Sequence, residues 1–197
     1  GLLQGLDKIR IRQIIELIEV TTPVQLPNRY IIENMSGQQM FVTTEQTNLL
    51  EAQIRKQFRA YIFDFYDRYN RPIFRAERGQ QRSCCWCGCC EGCRTTSIVE
   101  APIGTLAGSI TTGWSCCSTH LTLRDENKAT NLIMDGPHCC SRCCSDSTFK
   151  FRSSRGAEMA TVVRKYLGDV SLYTNADTYE ITFNPTMDIR SKATVIG

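Results

Sequence analysis

A strand–turn–strand pattern repeats five times along the chain and limits the folds open to it. In each repeat, two short runs of alternating apolar and polar residues flank a cluster of turn-forming residues such as Gly, Asn, Asp, Pro or Ser. The predicted hairpins cover residues 30–43, 61–76, 97–110, 120–134 and 149–163. An early strand within Ile9–Val20 and a late strand at Tyr179–Phe183 bracket them. Many short, evenly spaced strands predict an all-β sandwich or a closed barrel.

One segment departs from this pattern. In Thr44–Phe58 the apolar residues recur at helical spacing, and charged residues occupy the other faces. We predict a solvated helix there. No stretch approaches the roughly 18–20 consecutive apolar residues that a membrane-spanning helix needs. The net charge of +3 is too small to indicate a nucleic-acid partner.

The twelve cysteines are the one anomaly in composition, and they fall into three patches. These are Cys84, Cys85, Cys87, Cys89, Cys90 and Cys93, then Cys116 and Cys117, then Cys139, Cys140, Cys143 and Cys144. A secreted disulfide scaffold spreads its cysteines through a short chain. Clustering, with no leader-like segment at the N-terminus, favours a reducing compartment, in which dense cysteines indicate metal binding or lipid attachment.

Several segments, in colinear order along nearly the whole chain, resemble the phospholipid scramblases. They read QIIELIEV at 13–20, NRYIIEN at 28–34, SCCWCGCC at 83–90, APIG at 101–104, GPHCCSRCCSD at 136–146 and NADTYEITF at 175–183. The ordered set is specific, although each motif alone is modest.

The resemblance implies a fold, a function and a location. The fold is a single domain over 1–197, a tubby-like antiparallel β-barrel of about twelve strands around a hydrophobic helix that is expected to follow Gly197. The function is calcium-stimulated, bidirectional movement of phospholipids between leaflets, at the cytoplasmic side of the plasma membrane. The alternative is a membrane-associated lipid- or protein-binding signalling module without transport activity, in which zinc is structural. Further protein partners and oligomerisation are open.

The cysteine string at 84–90 supports two interpretations. In the family this string is a site of S-acylation, which assigns lipidation to Cys84, Cys85, Cys87, Cys89 and Cys90. Stable anchoring takes two membrane signals, and neighbouring thiols can supply several. The spacing also fits zinc, because Cys87-x2-Cys90 and Cys140-x2-Cys143 together offer four thiolates for a tetrahedral site. A set of inert thiols is the third possibility.

The resemblance also implies a calcium loop beginning at Asn175. Its expected ligands are Asn175, Asp177, Tyr179 and Thr186. Neutral residues at the first and last positions lower the affinity expected of a loop that depends on carboxylates. The alternation through Tyr179, Ile181 and Phe183 instead favours an amphipathic strand. No phosphate loop, nucleophile elbow or catalytic triad is recognisable, so we do not expect an enzyme.

Overall fold

A computed structural model describes residues 3–14, 27–46, 60–79, 94–115, 118–138, 145–166 and 177–197. Within these ranges it contains twelve strands and one helix. The strands are β1 Lys8–Ile14, β2 Arg29–Asn34, β3 Gln39–Gln46, β4 Tyr61–Asp67, β5 Pro72–Arg78, β6 Thr96–Glu100, β7 Leu106–Thr112, β8 Ser118–Arg124, β9 Thr130–His138, β10 Ser147–Ser153, β11 Glu158–Lys165 and β12 Thr178–Phe183; helix α1 is Ile189–Ile196.

The strands form one closed antiparallel barrel. Each strand pairs with its neighbours in the sequence, and β1 pairs with β12 to close the ring. Side chains alternate between the two faces: Ile9 is fully buried in the lumen, whereas Arg10 reaches the outer surface to contact Glu180. The all-β barrel predicted from the sequence is therefore confirmed.

Tight turns of closely similar construction gather at one end of the barrel, which we call the turn end. In four of them the backbone N–H of the first residue donates to the carbonyl four positions later. The carbonyl of that first residue accepts from the N–H three positions later. The fourth residue of each of these five-residue turns has a positive φ angle, a conformation that favours Gly and Asn. These four residues are Gly37, Asn70, Lys128 and Gly156. In three of these turns an Asn or Asp side chain also accepts from backbone N–H groups.

The opposite end, which we call the loop end, carries the connections β1–β2, β3–β4, β5–β6, β7–β8, β9–β10 and β11–β12. Because consecutive strands run antiparallel, every connection from an odd to an even strand lies there. The described ranges are interrupted mainly at these connections.

All five predicted hairpins are confirmed, and β12 confirms the strand predicted at Tyr179–Phe183. The helix predicted over Thr44–Phe58 is wrong at its start, because Thr44, Glu45 and Gln46 belong to β3. Thr44 pairs with Asp64 and Gln46 with Ile62 in the ladder to β4. Those pairings and the β-branched threonines favour a strand. The remainder of that predicted helix lies outside the described residues.

Helix α1 enters the barrel from the turn end. Asp188 caps it by accepting a hydrogen bond from the Ser191 backbone N–H at 3.0 Å. Four residues of the helix, Ser191 to Thr194, are buried. The Lys192 ammonium donates to the Leu6 carbonyl at 2.8 Å and lies 5.6 Å from the centroid of the Phe183 ring. Lys192 therefore ties the helix to the residues that precede β1.

Helix α1 was not predicted from the sequence. It begins at Ile189, before the hydrophobic helix that the resemblance implies after Gly197, and that later helix stays a prediction. Two of the four buried residues of α1 carry hydroxyl groups and one an ammonium group, so an apolar pattern could not reveal it. In the part of the chain that the structure describes, no helix has the length and apolar character needed to cross a bilayer.

The lumen between α1 and the loop end is lined mainly by apolar side chains. A cavity of about 280 Å³ there is bounded by Phe63, Phe65, Phe149 and Val195, among others. Thr43 also lines it, and its buried hydroxyl has no hydrogen-bond partner among the described residues. The barrel thus encloses space beside the last turn of α1.

We predict that α1 packs against β7 too closely to tolerate a methyl group on Gly108. A Cβ atom there would lie 2.7 Å from the Arg124 carbonyl oxygen and 2.7 Å from the Thr194 hydroxyl. Gly108→Ala is expected to lower the free energy of unfolding by about 1–3 kcal/mol, the usual cost of overpacking. Urea denaturation measures this. Gly79→Ala is the control, since no described residue lies within 4 Å of its Cβ position. Equal losses in both variants would contradict the packing.

Candidate functional site

All twelve cysteines belong to connections at the loop end. The first patch falls between β5 and β6, the second between β7 and β8, and the third between β9 and β10. The cysteines themselves, including the predicted lipidation residues and the predicted zinc ligands, lie outside the described residues. The described strand ends nevertheless show that all three cysteine-bearing connections leave and rejoin the barrel at one end.

A polar network surrounds Asp177 at this end. Arg164, the inward-facing residue near the end of β11, donates from Nε to Asp177 Oδ1 at 2.9 Å. Its Nη2 atom lies 2.8 Å from the same oxygen. The Tyr179 hydroxyl donates to Asp177 Oδ2 at 3.1 Å. Asp177 is therefore engaged through both carboxylate oxygens.

The network continues around the rim across the barrel closure. Gln13 donates to Asn28 Oδ1 at 2.9 Å, and Asn28 donates from Nδ2 to Glu45 Oε2 at 2.7 Å. The Asp177 backbone N–H reaches Gln13 Oε1 at 3.4 Å. Residues associated with β11, β12, β1, β2 and β3 are thus linked in sequence. Such a chain of hydrogen bonds fixes the position of Asp177.

The structure brings together only part of the predicted calcium loop. Asp177 and Tyr179 are hydrogen-bonded at the loop end, and Asn175 lies outside the described residues. Thr186 lies past the far end of β12, at the turn end, where its hydroxyl donates to Asn184 Oδ1 at 2.8 Å. All six residues of β12 therefore separate Thr186 from Asp177. Calcium binding near Asp177 stays a prediction.

Comparison with known proteins identifies the family. A family model described as Scramblase matches residues 1–197, the whole chain. The chain belongs to the Scramblase family. It is 30% identical over 196 residues to phospholipid scramblase 4 of Mus musculus, covering 99% of the chain and 60% of that relative. It is 28% identical over 197 residues to phospholipid scramblase 1 of Homo sapiens, covering 99% of the chain and 61% of that relative.

The resemblance inferred from the sequence motifs is therefore confirmed. The chain spans about 60% of the length of these scramblase relatives. No solved structure matches it. The family assignment rests on the sequence of the entire chain. The described part of that sequence forms the closed barrel.

Metal sites receive no support from the described part of the chain. Within those ranges, no group of three or more His, Cys, Asp or Glu side chains is placed to hold a metal ion. His120, for example, contacts a single carboxylate among the described residues. Its Nδ1 lies 2.8 Å from Asp135 Oδ1 on the outer surface. The zinc prediction, which depends on cysteines outside those ranges, stays a prediction.

Sequence reasoning missed the role of Arg164. No motif singled out Arg164, whereas in the structure its guanidinium pairs with Asp177. The signal that could have found it is the alternation of β11. Ala160 and Val162 line the inner face, and Arg164 is the next residue of that face. An arginine at an inward position requires an acceptor.

The buried Tyr179 phenol should make the free energy of unfolding fall as the pH rises above about 10. Burial raises the pKa of the Tyr179 phenol far above its ordinary value of 10.0, and the Asp177 carboxylate raises it further. Above about pH 10 the unfolded phenol ionises while the folded one stays protonated. Each further pH unit then lowers the free energy of unfolding by about 1.4 kcal/mol until the folded phenol ionises.

We therefore predict that Tyr179→Phe removes part of the alkaline loss of stability. Urea unfolding at several pH values above 10 should show a shallower decline in the variant than in the wild type. Tyr69→Phe, which alters a tyrosine exposed at the turn end, should retain the wild-type slope. Identical slopes in wild type and Tyr179→Phe would contradict the buried phenol.

Proposed function

We propose that this protein is a phospholipid scramblase that moves phospholipids in both directions between membrane leaflets. The observation that carries the proposal is the match of the whole chain to the Scramblase family. Relatives that bear the name phospholipid scramblase align with 98–99% of the chain. Movement of a lipid takes a polar headgroup across about 30 Å of hydrocarbon, so the active assembly must offer that headgroup a polar route.

We propose further that the protein associates with the cytoplasmic side of the plasma membrane through S-acylation at Cys84, Cys85, Cys87, Cys89 and Cys90. The support is the density of thiols in one connection and its origin at the end shared by all three cysteine patches. Each buried methylene contributes about 0.8 kcal/mol to membrane binding, and two acyl chains suffice for a stable anchor.

The second candidate is a lipid- or protein-binding module stabilised by zinc. It is favoured by the common end of the β5–β6 and β9–β10 connections, which carry Cys87-x2-Cys90 and Cys140-x2-Cys143. Cys87, Cys90, Cys140 and Cys143 would supply the thiolates of a closed tetrahedral site. Such a site would hold two connections together and would contribute directly to folding.

Calcium is the proposed regulator, acting with low affinity. Asp177 is the only acidic residue among the four predicted ligands, and Arg164 already neutralises it. A cation must therefore compete with a guanidinium for the same carboxylate. Affinity for calcium follows the charge of its ligands, which indicates a dissociation constant of about 10⁻⁴ M or weaker.

Reconstitution of the purified full-length protein into liposomes with a fluorescent phospholipid tests the function. Scrambling is expected to appear with the protein, to increase only when calcium reaches about 10⁻⁴ M or more, and to lose this increase in Asp177→Asn. Thr186→Ala is the matched control, because Thr186 lies at the other end of β12, and it should respond to calcium as the wild type does. Vesicle binding without any lipid movement would instead support the binding module.

The cysteines distinguish the two candidates for the loop end. If the four proposed thiolates share one zinc, protein from a host without acyltransferases should contain about one equivalent of metal. Cys87→Ser and Cys140→Ser should then each lose the metal and lower the melting temperature. If acylation alone operates, the protein should be free of metal. Replacing the five proposed acylation sites together should then release it from membranes without unfolding it, and Cys140→Ser should stay membrane-bound.

A further inference from the structure

Two exposed aromatic residues extend from the loop end. Trp114 lies just past the end of β7 and is 60% exposed, and Tyr166 directly follows β11 and is 40% exposed. Neither ring takes part in an aromatic or cation–π contact with another described residue. Trp and Tyr combine an apolar ring with a polar group, and both are enriched where protein meets the headgroup region of a bilayer.

The charge around Trp114 fits an anionic surface. The sequence contains no Asp or Glu from Ala101 to Arg124, a stretch centred near Trp114. On the neighbouring strand, the backbone of Thr95 is hydrogen-bonded to Thr112. The antiparallel register therefore places the exposed Arg94 opposite Gly113, next to Trp114. A basic residue at the same rim as an exposed indole is suited to phosphate headgroups, because basic residues near an anionic leaflet add to binding.

The surroundings of Tyr166 are similar, although less basic. No acidic residue occurs from Met159 to Gly168. Among the described residues, Asp146 contacts Tyr166, and its carboxylate accepts from the Tyr166 backbone N–H at 2.8 Å. Its charge is balanced by Lys165, whose ammonium lies 3.0 Å from Asp146 Oδ2. The phenol ring therefore projects from a locally neutral rim.

The turn end also exposes a tyrosine, but its ring already has partners within the protein. Tyr69 is 65% exposed, and the guanidinium groups of Arg68 and Arg71 lie 5.1 Å and 5.2 Å from its ring centroid. Arg71 is in turn held by Asp67, at 2.7 Å. Inserting Tyr69 into a bilayer would disturb these contacts, whereas inserting Trp114 would disturb none that involve its ring among the described residues.

We propose that Trp114, assisted by Tyr166 and Arg94, docks the loop end of the barrel on an anionic phospholipid surface. The inference rests on the proposed membrane function and adds the orientation and the contact residues. The two aromatic residues lie on connections at one end, so a single membrane plane can meet both. The same orientation turns the strand ends that flank the three cysteine patches towards the lipid.

The two tryptophans of the chain permit a direct test. In Trp86→Phe, Trp114 is the only tryptophan and therefore reports its own environment. On addition of phosphatidylcholine vesicles containing phosphatidylserine, its emission is expected to shift to the blue and to be quenched by brominated lipid. A second variant, Trp86→Phe/Trp114→Phe/Tyr69→Trp, places the only tryptophan at the turn end and should be neither shifted nor quenched.

Vesicle sedimentation supplies the energetic readout. Trp114→Ala should lower the partition coefficient by roughly tenfold, because it removes a large apolar side chain from the contact. Tyr69→Ala should leave the coefficient unchanged. Vesicle binding by Trp86→Phe with Trp114 unquenched, or quenching in the variant that carries Tyr69→Trp, would overturn the orientation and leave the proposed function standing. No binding of the wild type to either anionic or neutral vesicles would count against both.

Discussion

The pairing of β1 with β12 determines the arrangement of everything else in the barrel. Five consecutive residue pairs, from Lys8 with Thr182 to Arg12 with Thr178, close the ring. The backbone of Gln13 extends this pairing by donating to the Asp177 carbonyl at 3.0 Å. Closure removes the two sheet edges that an open twelve-stranded sheet would present to other chains. It also encloses a lumen, which α1 partly fills.

Ion pairs on the outer surface reinforce this closure. Lys8 and Arg10 of β1 lie 3.3 Å and 3.2 Å from the Glu180 carboxylate of β12. Burial opposes the ionisation of Glu180, yet hydrogen bonds from these two cations hold its pKa below the ordinary value. On the inner side, Arg164 and Tyr179 converge on Asp177. Charged contacts therefore join β1 to β12 on the outer face, whereas on the inner side Arg164 of β11 pairs with the Asp177 carboxylate. Asp177 takes part in the closure through its backbone, whose carbonyl accepts from the Gln13 N–H of β1.

The strands could be predicted from the sequence because each hairpin repeats the same local chemistry. Alternation predicts the pairs, and residues such as Asn34, Asp67 and Asp125 specify the turns. What could not be predicted depends on contacts between distant residues. Helix α1 buries Lys192, whose ammonium donates to the Leu6 carbonyl. The periodicity of the sequence does not reveal a contact between residues so far apart in the chain. Likewise, the pairing of Arg164 with Asp177 requires knowing which strands are neighbours. That the strand ends flanking all three cysteine patches lie at one end of the barrel follows from the antiparallel order of the strands.

Hydrogen exchange measured by mass spectrometry on the native protein tests the closed barrel most directly. If β1 and β12 pair, the amides of Lys8–Ile14 and Thr178–Phe183 should exchange as slowly as those of the β4–β5 hairpin, which has partners on both sides. Opening of the closure alone would then not precede global unfolding. Rapid exchange of both segments, with protection retained in β4 and β5, would show two free sheet edges. That result would contradict the closure of the barrel.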